Sequence, residues 1–372
     1  RYCLLSRGLG DVYKRQAVSL PSMSQFERLK IDDIARLAQV SRTTASMVLN
    51  GQAERYRIAA ATVARVKAVA EAHHYVPSQS ARALRSRKSR TLGLVIPELV
   101  NYAHASLAQA LEVQSRAAGY QLLIATSNDD AEQEAQGIAQ LVAREIDGLI
   151  VVPASADAQR YLGWQSRLPL VFADRRIEGC GIAFAVSDAT DAVSALTAQA
   201  LGQSRDALAG GQPPVVAYFG GQSALSPSRD RLAGFRRALA AAGVTEGDGT
   251  VVERDYLRSS GLAMMAQWRQ AHGGRGPHVL FTGGIGLLQG VLADLQASHL
   301  LGRGLDATPH ALRLITFDDH PLLDCLPLPV DSVAQDSEGL ARASLETVLA
   351  LIQGETEPVS VWVPARVRRR SA

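Results

Sequence analysis

Short apolar runs punctuate the chain from residue 91 onward, and helix-forming stretches separate them. LGLVIP occupies 92–97, QLLIAT 121–126, DGLIVVP 147–153 and LPLVFAD 168–174. After a polar interval the pattern restarts, with PVVAYFG at 214–220, HVLFTGG at 278–284 and LRLITFDD at 312–319. Strands that are apolar on both faces must be covered on both, and strands joined through helices run parallel. Two such series predict two lobes, each a doubly wound parallel sheet. Ligands in such sheets bind beyond the carboxyl ends of the strands. There the chain carries Glu98, Asn101, Ser127, Asp129, Ser155, Asp174, Arg175, Ser226, Arg229 and Asp318. These would converge on the cleft between lobes. Asp and Ser at such places also cap the following helices, so each has a purely structural alternative.

With 372 residues the chain has room for two or three domains. Hydrophobic residues make up 47% and charged ones 20%, as in ordinary globular proteins. No apolar run reaches the ~18 residues of a membrane-helix candidate, so no membrane partner is expected. Cys3, Cys180 and Cys325 are sparse, odd in number and without metal-ligand spacing. That usage fits a reducing cytoplasm. No metal, cofactor or catalytic group is expected.

Ahead of the sheets lies IDDIARLAQVSRTTASMVLN, Ile31 to Asn50. Ile31, Ile34, Ala35 and Ala38 share one helical face, and Ala45, Val48 and Leu49 repeat it after a tight corner. Ser41 is placed to cap the second helix. Arg42, Thr43, Ser46, Met47 and Asn50 then face outward, which suits a helix whose first turn reads base edges in a major groove. Any packed helix pair with a solvated face is the competing explanation. A third helix over about Ala60 to His73, with Val63, Val66, Val69 and Ala70 as its stripe, completes a headpiece. Pro77 and Ser78 then introduce a short helix, Gln79 to Leu84, too small to be stable alone. Five of the nine residues in RALRSRKSR, 82–90, are Arg or Lys. Phosphate is the obvious partner for that block, a solvated linker the alternative. Residues 1–22 show no helical or strand period and are expected to be a non-native leader, with Met23 as the start.

DIARLAQVSRTTASMVLNG, YVPSQSARAL, TLGLVIPEL and FDD together resemble the lactose-repressor/galactose-repressor family of bacterial transcription regulators. The likeness runs from about Leu29 to Arg370. RTTASMVLNGQAERYRI, GLVIPELVN, GYQLLIATS and LFTGGIGLLQGV are most similar to its fructose-repressor branch. The resemblance implies a small all-α helix-turn-helix headpiece plus an α/β two-lobed periplasmic-binding-protein-like sensor. The expected domains are 23–75 for DNA binding, 76–90 for hinge helix and linker, and 91–372 for effector binding. The N-lobe would take about 91–187 and 337–362, the C-lobe about 188–336 and 363–372.

Residue by residue, the resemblance implies base-edge contacts for Arg42 and Thr43 beside the cap Ser41. It implies phosphate or groove-wall contacts for Thr44, Ser46, Asn50 and Thr62, and an approach of Arg57 from the loop. Leu84, with Ala81 beside it, stands where the family wedges the minor groove. Asp174, Arg229, Asp318 and Gln335 would surround the effector, with Asn101 and Ser226 at neighbouring strand ends. Arg175 is the candidate for a phosphate contact. Loss of effector response is expected on truncating Arg229. The implied function is repression of sugar or fructose genes by a homodimer or homotetramer on a pseudo-palindromic operator. Fructose 1-phosphate, a related sugar phosphate or another sugar would release it. Gln39 departs from the family's turn Gly, Ala59 from its capping Ser, and Gly284 from a sugar-binding Asn. His104 could touch effector, but a local partner at the helix start is the expectation.

Two other functions compete. A periplasmic sugar-binding protein would share the sensor but not the headpiece or basic hinge. A sugar-phosphate enzyme would draw on FGG at 219–221, GGIG at 283–286 or Asp318–Asp319–His320. These lack a phosphate-loop lysine, a dinucleotide fingerprint and a paired nucleophile, so turn glycines and ligand or capping carboxylates explain them better.

Overall fold

The computed structural model describes residues 29–76, 88–208, 213–247, 249–300, 312–357 and 359–371. The chain forms two compact units, residues 1–86 and 87–372. The expected leader and the hinge helix with Ala81 and Leu84 lie outside the described residues.

In the first unit, α1 spans Ile31–Leu37, α2 Arg42–Leu49 and α3 Ala60–Ala72. Small residues let these helices approach closely: Ala35, Ala38 and Ala45 are buried with Val48 and Val66. The Lys30 N–H donates to Asp33 at 2.9 Å and starts α1. Gln39 turns the corner at φ 52°, a left-handed conformation that costs a non-glycine residue roughly 1 kcal/mol. Ser41 Oγ then caps α2 by accepting the Thr44 N–H at 3.1 Å. Ala59 begins α3 without a side-chain cap. Arg65 Nε donates to the Ala38 carbonyl at 2.8 Å and ties α3 to the end of α1.

The second unit holds two six-stranded sheets. The N-lobe sheet is built from β1 (Thr91–Ile96), β2 (Gln121–Thr126), β3 (Gly148–Val151), β4 (Leu170–Ala173), β5 (Phe184–Asp188) and β11 (Val361–Pro364). Its order is β11-β5-β4-β3-β1-β2, all parallel. The C-lobe sheet takes β6 (Val216–Gly220), β7 (Val251–Glu253), β8 (Val279–Thr282), β9 (Arg313–Phe317), β10 (Val330–Ala334) and β12 (Arg366–Arg368). It repeats the order as β12-β10-β9-β8-β6-β7, with only the β10–β12 pair antiparallel. Helices α4 (Tyr102–Ala117), α5 (Ala131–Val142), α6 (Gln159–Gln165) and α11 (Ser337–Gln353) belong to the N-lobe. Helices α7 (Thr190–Ala207), α8 (Ser226–Ala241), α9 (Arg258–Ala271) and α10 (Ile285–Ala297) cover the C-lobe sheet.

Alternation along each strand sends side chains to two cores per sheet. Leu92, Leu94 and Ile96 pack with Leu107, Leu111, Leu340 and Val348. Val95, Leu149 and Val151 meet Ile138 and Tyr161 on the other face. The C-lobe is layered likewise, with Tyr218 and Phe281 against Phe235, and Phe219 and Leu280 against Trp268 and Leu287. The chain passes between lobes after Asp188, between Ala334 and Ser337, and between Pro364 and Arg366. Both sheets reverse direction of build between their first and third strands, so each offers a crevice at the carboxyl ends of β1/β3 and β6/β8.

Candidate functional site

The headpiece presents an outward α2 surface. Arg42 and Thr43 are exposed in its first turn. Thr44 shares its hydroxyl with Ser41 at 2.8 Å. Asn50 Nδ2 donates to the Ser46 carbonyl at 2.8 Å and lies 3.2 Å from the Ser46 hydroxyl. Arg42 and Thr43 therefore have the greater freedom, Arg42 making one exposed contact with Asp32 at 3.5 Å. Arg57 is exposed at φ 48°, and Thr62 is half-buried in the first turn of α3.

In the second unit the two crevices face each other across a cleft of about 360 Å³, within the range of small-molecule sites. Its walls include Glu98, Asn101, His104 and Asp129 from the N-lobe, Asp174 and Arg175 after β4, and Arg231, Tyr256, Gly284 and Asp318 from the C-lobe. Asp174 and Asp318 follow the ends of β4 and β9 in left-handed conformations, φ 62° and 67°. Aspartate tolerates that region better than most residues, and the turn aims both carboxyls at the cleft.

Asp318 is 9% exposed, and its Oδ1 has no hydrogen-bond partner. Burial raises its pKa to about 6; the Arg231 charge opposes the rise and Asp174 adds to it. Asp174 Oδ1 accepts from Gln335 Nε2 at 3.1 Å. Arg175, 4% exposed, donates to Asp129 at 2.5 and 3.3 Å and to the Pro153 carbonyl at 3.1 Å. Glu134 fixes the loop beyond Pro153 by accepting the Ala154 N–H at 2.7 Å while the Tyr161 hydroxyl donates to it at 2.6 Å. Arg231, 7% exposed, lies 3.5 Å over the Phe317 ring and donates to the Gly283 carbonyl at 2.6 Å. Its Nε is buried and unpartnered. Asn101 lines the cleft and caps α4 by accepting the Ala103 N–H at 3.0 Å.

Three expected effector residues stand elsewhere. Arg229 is exposed; it donates to the Ala224 carbonyl at 2.7 Å and lies 3.7 Å from Glu178. Arg231, two residues further along α8, supplies the guanidinium instead, because two helical steps turn a side chain about 200°. Ser226 is buried beside the cleft and accepts the Arg176 N–H at 2.9 Å. Gln335 sits behind Asp174 in a smaller cavity and donates to that carboxylate. His104 has no local partner: its Nδ1 is buried and unbonded. Gly284 opens α10, and a Cβ there would press on the Tyr256 ring at 3.2 Å. Among the described residues no group of His, Cys, Asp or Glu has metal-binding geometry, and no helix is long and apolar enough to cross a membrane.

Comparison with known proteins matches this layout. The family profile described as "Bacterial regulatory proteins, lacI family" covers residues 30–78, and that of a "Periplasmic binding protein domain" covers 92–356. The sucrose operon repressor of Klebsiella pneumoniae is 39% identical over 345 residues, which is 92% of this chain and 98% of the repressor. The catabolite repressor/activator of Escherichia coli K12 is 35% identical over 337 residues, 89% of this chain and 94% of that protein. The crystal structure of the Cra transcriptional dual regulator of Pseudomonas putida, in complex with fructose 1-phosphate, superposes with a TM-score of 0.66 at 35% identity. It covers 76% of this chain and 99% of its own. These relatives are regulators rather than enzymes, and the chain belongs with them to the lacI family of DNA-binding transcriptional regulators.

Proposed function

We propose that the protein represses genes of sugar metabolism, holding a pseudo-palindromic operator as a cytoplasmic homodimer or homotetramer. Occupation of the sensor cleft by a sugar phosphate, fructose 1-phosphate foremost, releases it. The cleft chemistry carries this reading. Asp174 and Asp318 offer acceptors for sugar hydroxyls, the buried guanidinium of Arg231 offers donors for an oxyanion, and Arg175, its fork held by Asp129, adds positive charge at the cleft wall. The fructose 1-phosphate complex of the Pseudomonas putida relative supports the choice of ligand. On the DNA side, Arg42 and Thr43 would read base edges. Ser41, Thr44, Ser46, Asn50, Arg57 and Thr62 would fix the headpiece on the backbone. A leucine wedge at Leu84, beside Ala81, would kink the operator centre.

Release follows from differential affinity. A ligand that prefers one lobe arrangement shifts the population away from the DNA-holding one, and only by as much as that preference. The connector enters the sensor on a firm anchor, since Asp147 accepts the N–H groups of Ser89 and Arg90 at 2.7 and 2.8 Å.

One observation favours a second effector class. Glu98, Asp129, Asp174, Asp255 and Asp318 line the cleft against Arg175 and Arg231 alone, and Arg175 is already matched by Asp129. An unphosphorylated sugar meets less repulsion there than a phosphate dianion. Titrating a protein–operator complex with fructose 1-phosphate, fructose 1,6-bisphosphate and fructose separates the two. We expect release at the lowest concentration by fructose 1-phosphate. We also expect at least a tenfold higher midpoint in Arg231→Gln and less than a twofold change in Arg229→Ala. Equal midpoints for phosphorylated and free fructose would favour the second class, and no preference for any palindrome over scrambled DNA would overturn the repressor.

A further inference from the structure

His104 stands in the first turn of α4, 7% exposed, and its buried Nδ1 is bonded to nothing. The charges that act on it are Asp174, Arg175, Asp129 and Arg231. All four line the cleft, and they come from both lobes. His104 itself lines that cleft, so its ring borders the binding space. Burial lowers its pKa to about 4, and the positive end of α4 disfavours the imidazolium further. At neutral pH the ring is uncharged, with one nitrogen a donor and the other an acceptor.

An unmatched buried polar atom makes a site selective. A ligand that supplies the missing partner removes the deficit, and one that does not retains it. The surroundings say what that partner is. A phosphate oxygen beside Asp174 would set anion against anion, with only a neutral ring as donor. A sugar hydroxyl gives and accepts, and so answers the ring and the carboxylate together. We propose that His104 is a specificity-determining effector contact, its neutral imidazole binding a sugar hydroxyl beside Asp174 and keeping anionic oxygens from that part of the cleft.

This rests on the sensor reading above but not on which sugar binds. Calorimetric titration of the full chain with fructose 1-phosphate, fructose and a panel of other hexoses and hexose phosphates first fixes the tightest ligand. For that ligand His104→Phe should weaken binding about tenfold to a hundredfold. His104→Gln, whose amide both donates and accepts, should recover to within about threefold of the wild type. One single-deoxy analogue should lose the same factor on the wild type and nothing further on His104→Phe. The loss should be constant between pH 6 and 8. Unchanged affinity in His104→Phe, equal losses for every deoxy analogue on both proteins, or a loss that grows on acidification would each overturn the proposal. If another sugar outranks fructose 1-phosphate, the choice of effector fails while His104 is still tested. If none of the panel binds, both fail.

Discussion

Asp318 keeps a buried carboxyl on the cleft wall at a cost to the stability of the ligand-free fold. Its folded pKa of about 6 lies above the ordinary 3.8. Folding therefore favours its protonated form, and the stability associated with that form is full below about pH 4 and is lost as pH rises through 6. The size is on the order of 3 kcal/mol. Asp318→Asn should make the ligand-free protein more stable than the wild type at pH 7, with the difference vanishing toward pH 4. Urea unfolding across that range would check it, and a constant difference would reject it. Other residues at the cleft were legible in part. Asp174, Arg175 and Asp318 stand at strand ends that the apolar runs predict. Arg229 and Arg231 differ only in helical phase, and the signal for choosing between them was present. Arg231 lies four residues before Phe235 beside the buried stripe of Leu232, Phe235 and Leu239 along α8, whereas Arg229 falls outside it and is exposed. His104 was harder, because the charges around it come from segments distant in sequence.

Local sequence decides the ends of the headpiece helices. Ser41 caps α2 as its position predicts, and Gln39 takes the left-handed turn that glycine would take more easily. Ala59 leaves the first N–H groups of α3 without a side-chain acceptor. Ala59→Ser should supply it and stabilise the helix by about 1 kcal/mol. Hydrogen exchange of the first-turn amides of α3 should slow by about fivefold, and an unchanged rate would show the cap unused. The strands divide along the same line. Those with continuous apolar runs, β1 to β4, β6, β8 and β9, are visible in the sequence. The others are defined by distant partners. Asp331 in β10 is buried because it accepts from the Arg370 and Ser371 N–H groups at 2.6 and 2.8 Å. The Arg-Val-Arg of β12 has no strand signature beyond one buried-side Val. β7 and β11 are short edge strands with little apolar alternation.

Across the whole sensor, a few polar contacts join the lobes outside the cleft. Arg176 reaches Asp230 on α8 at 2.5 and 3.0 Å and lies 4.5 Å over the Trp362 ring. On another side Tyr102 meets His320 edge-on, ring centres 4.4 Å apart. Arg176 and Asp230 are both mostly shielded from water, so their pairing is worth roughly 1–3 kcal/mol to the lobe arrangement that makes it. Asp230 adjoins Arg231, which couples the pairing to the cleft. Asp230→Asn should raise the effector concentration for half-release about three- to tenfold while operator affinity without effector changes little. An unaltered release curve would mean that lobe closure does not draw on this pair. The passage of the chain back and forth between lobes bears on the order of events at the ribosome. The DNA-reading helices emerge early and need only near neighbours to pack. The N-lobe, by contrast, waits for α11 and then β11, which are made after nearly all of the C-lobe. During each round of synthesis the DNA-binding headpiece is thus finished while the two-lobed sensor is still incomplete.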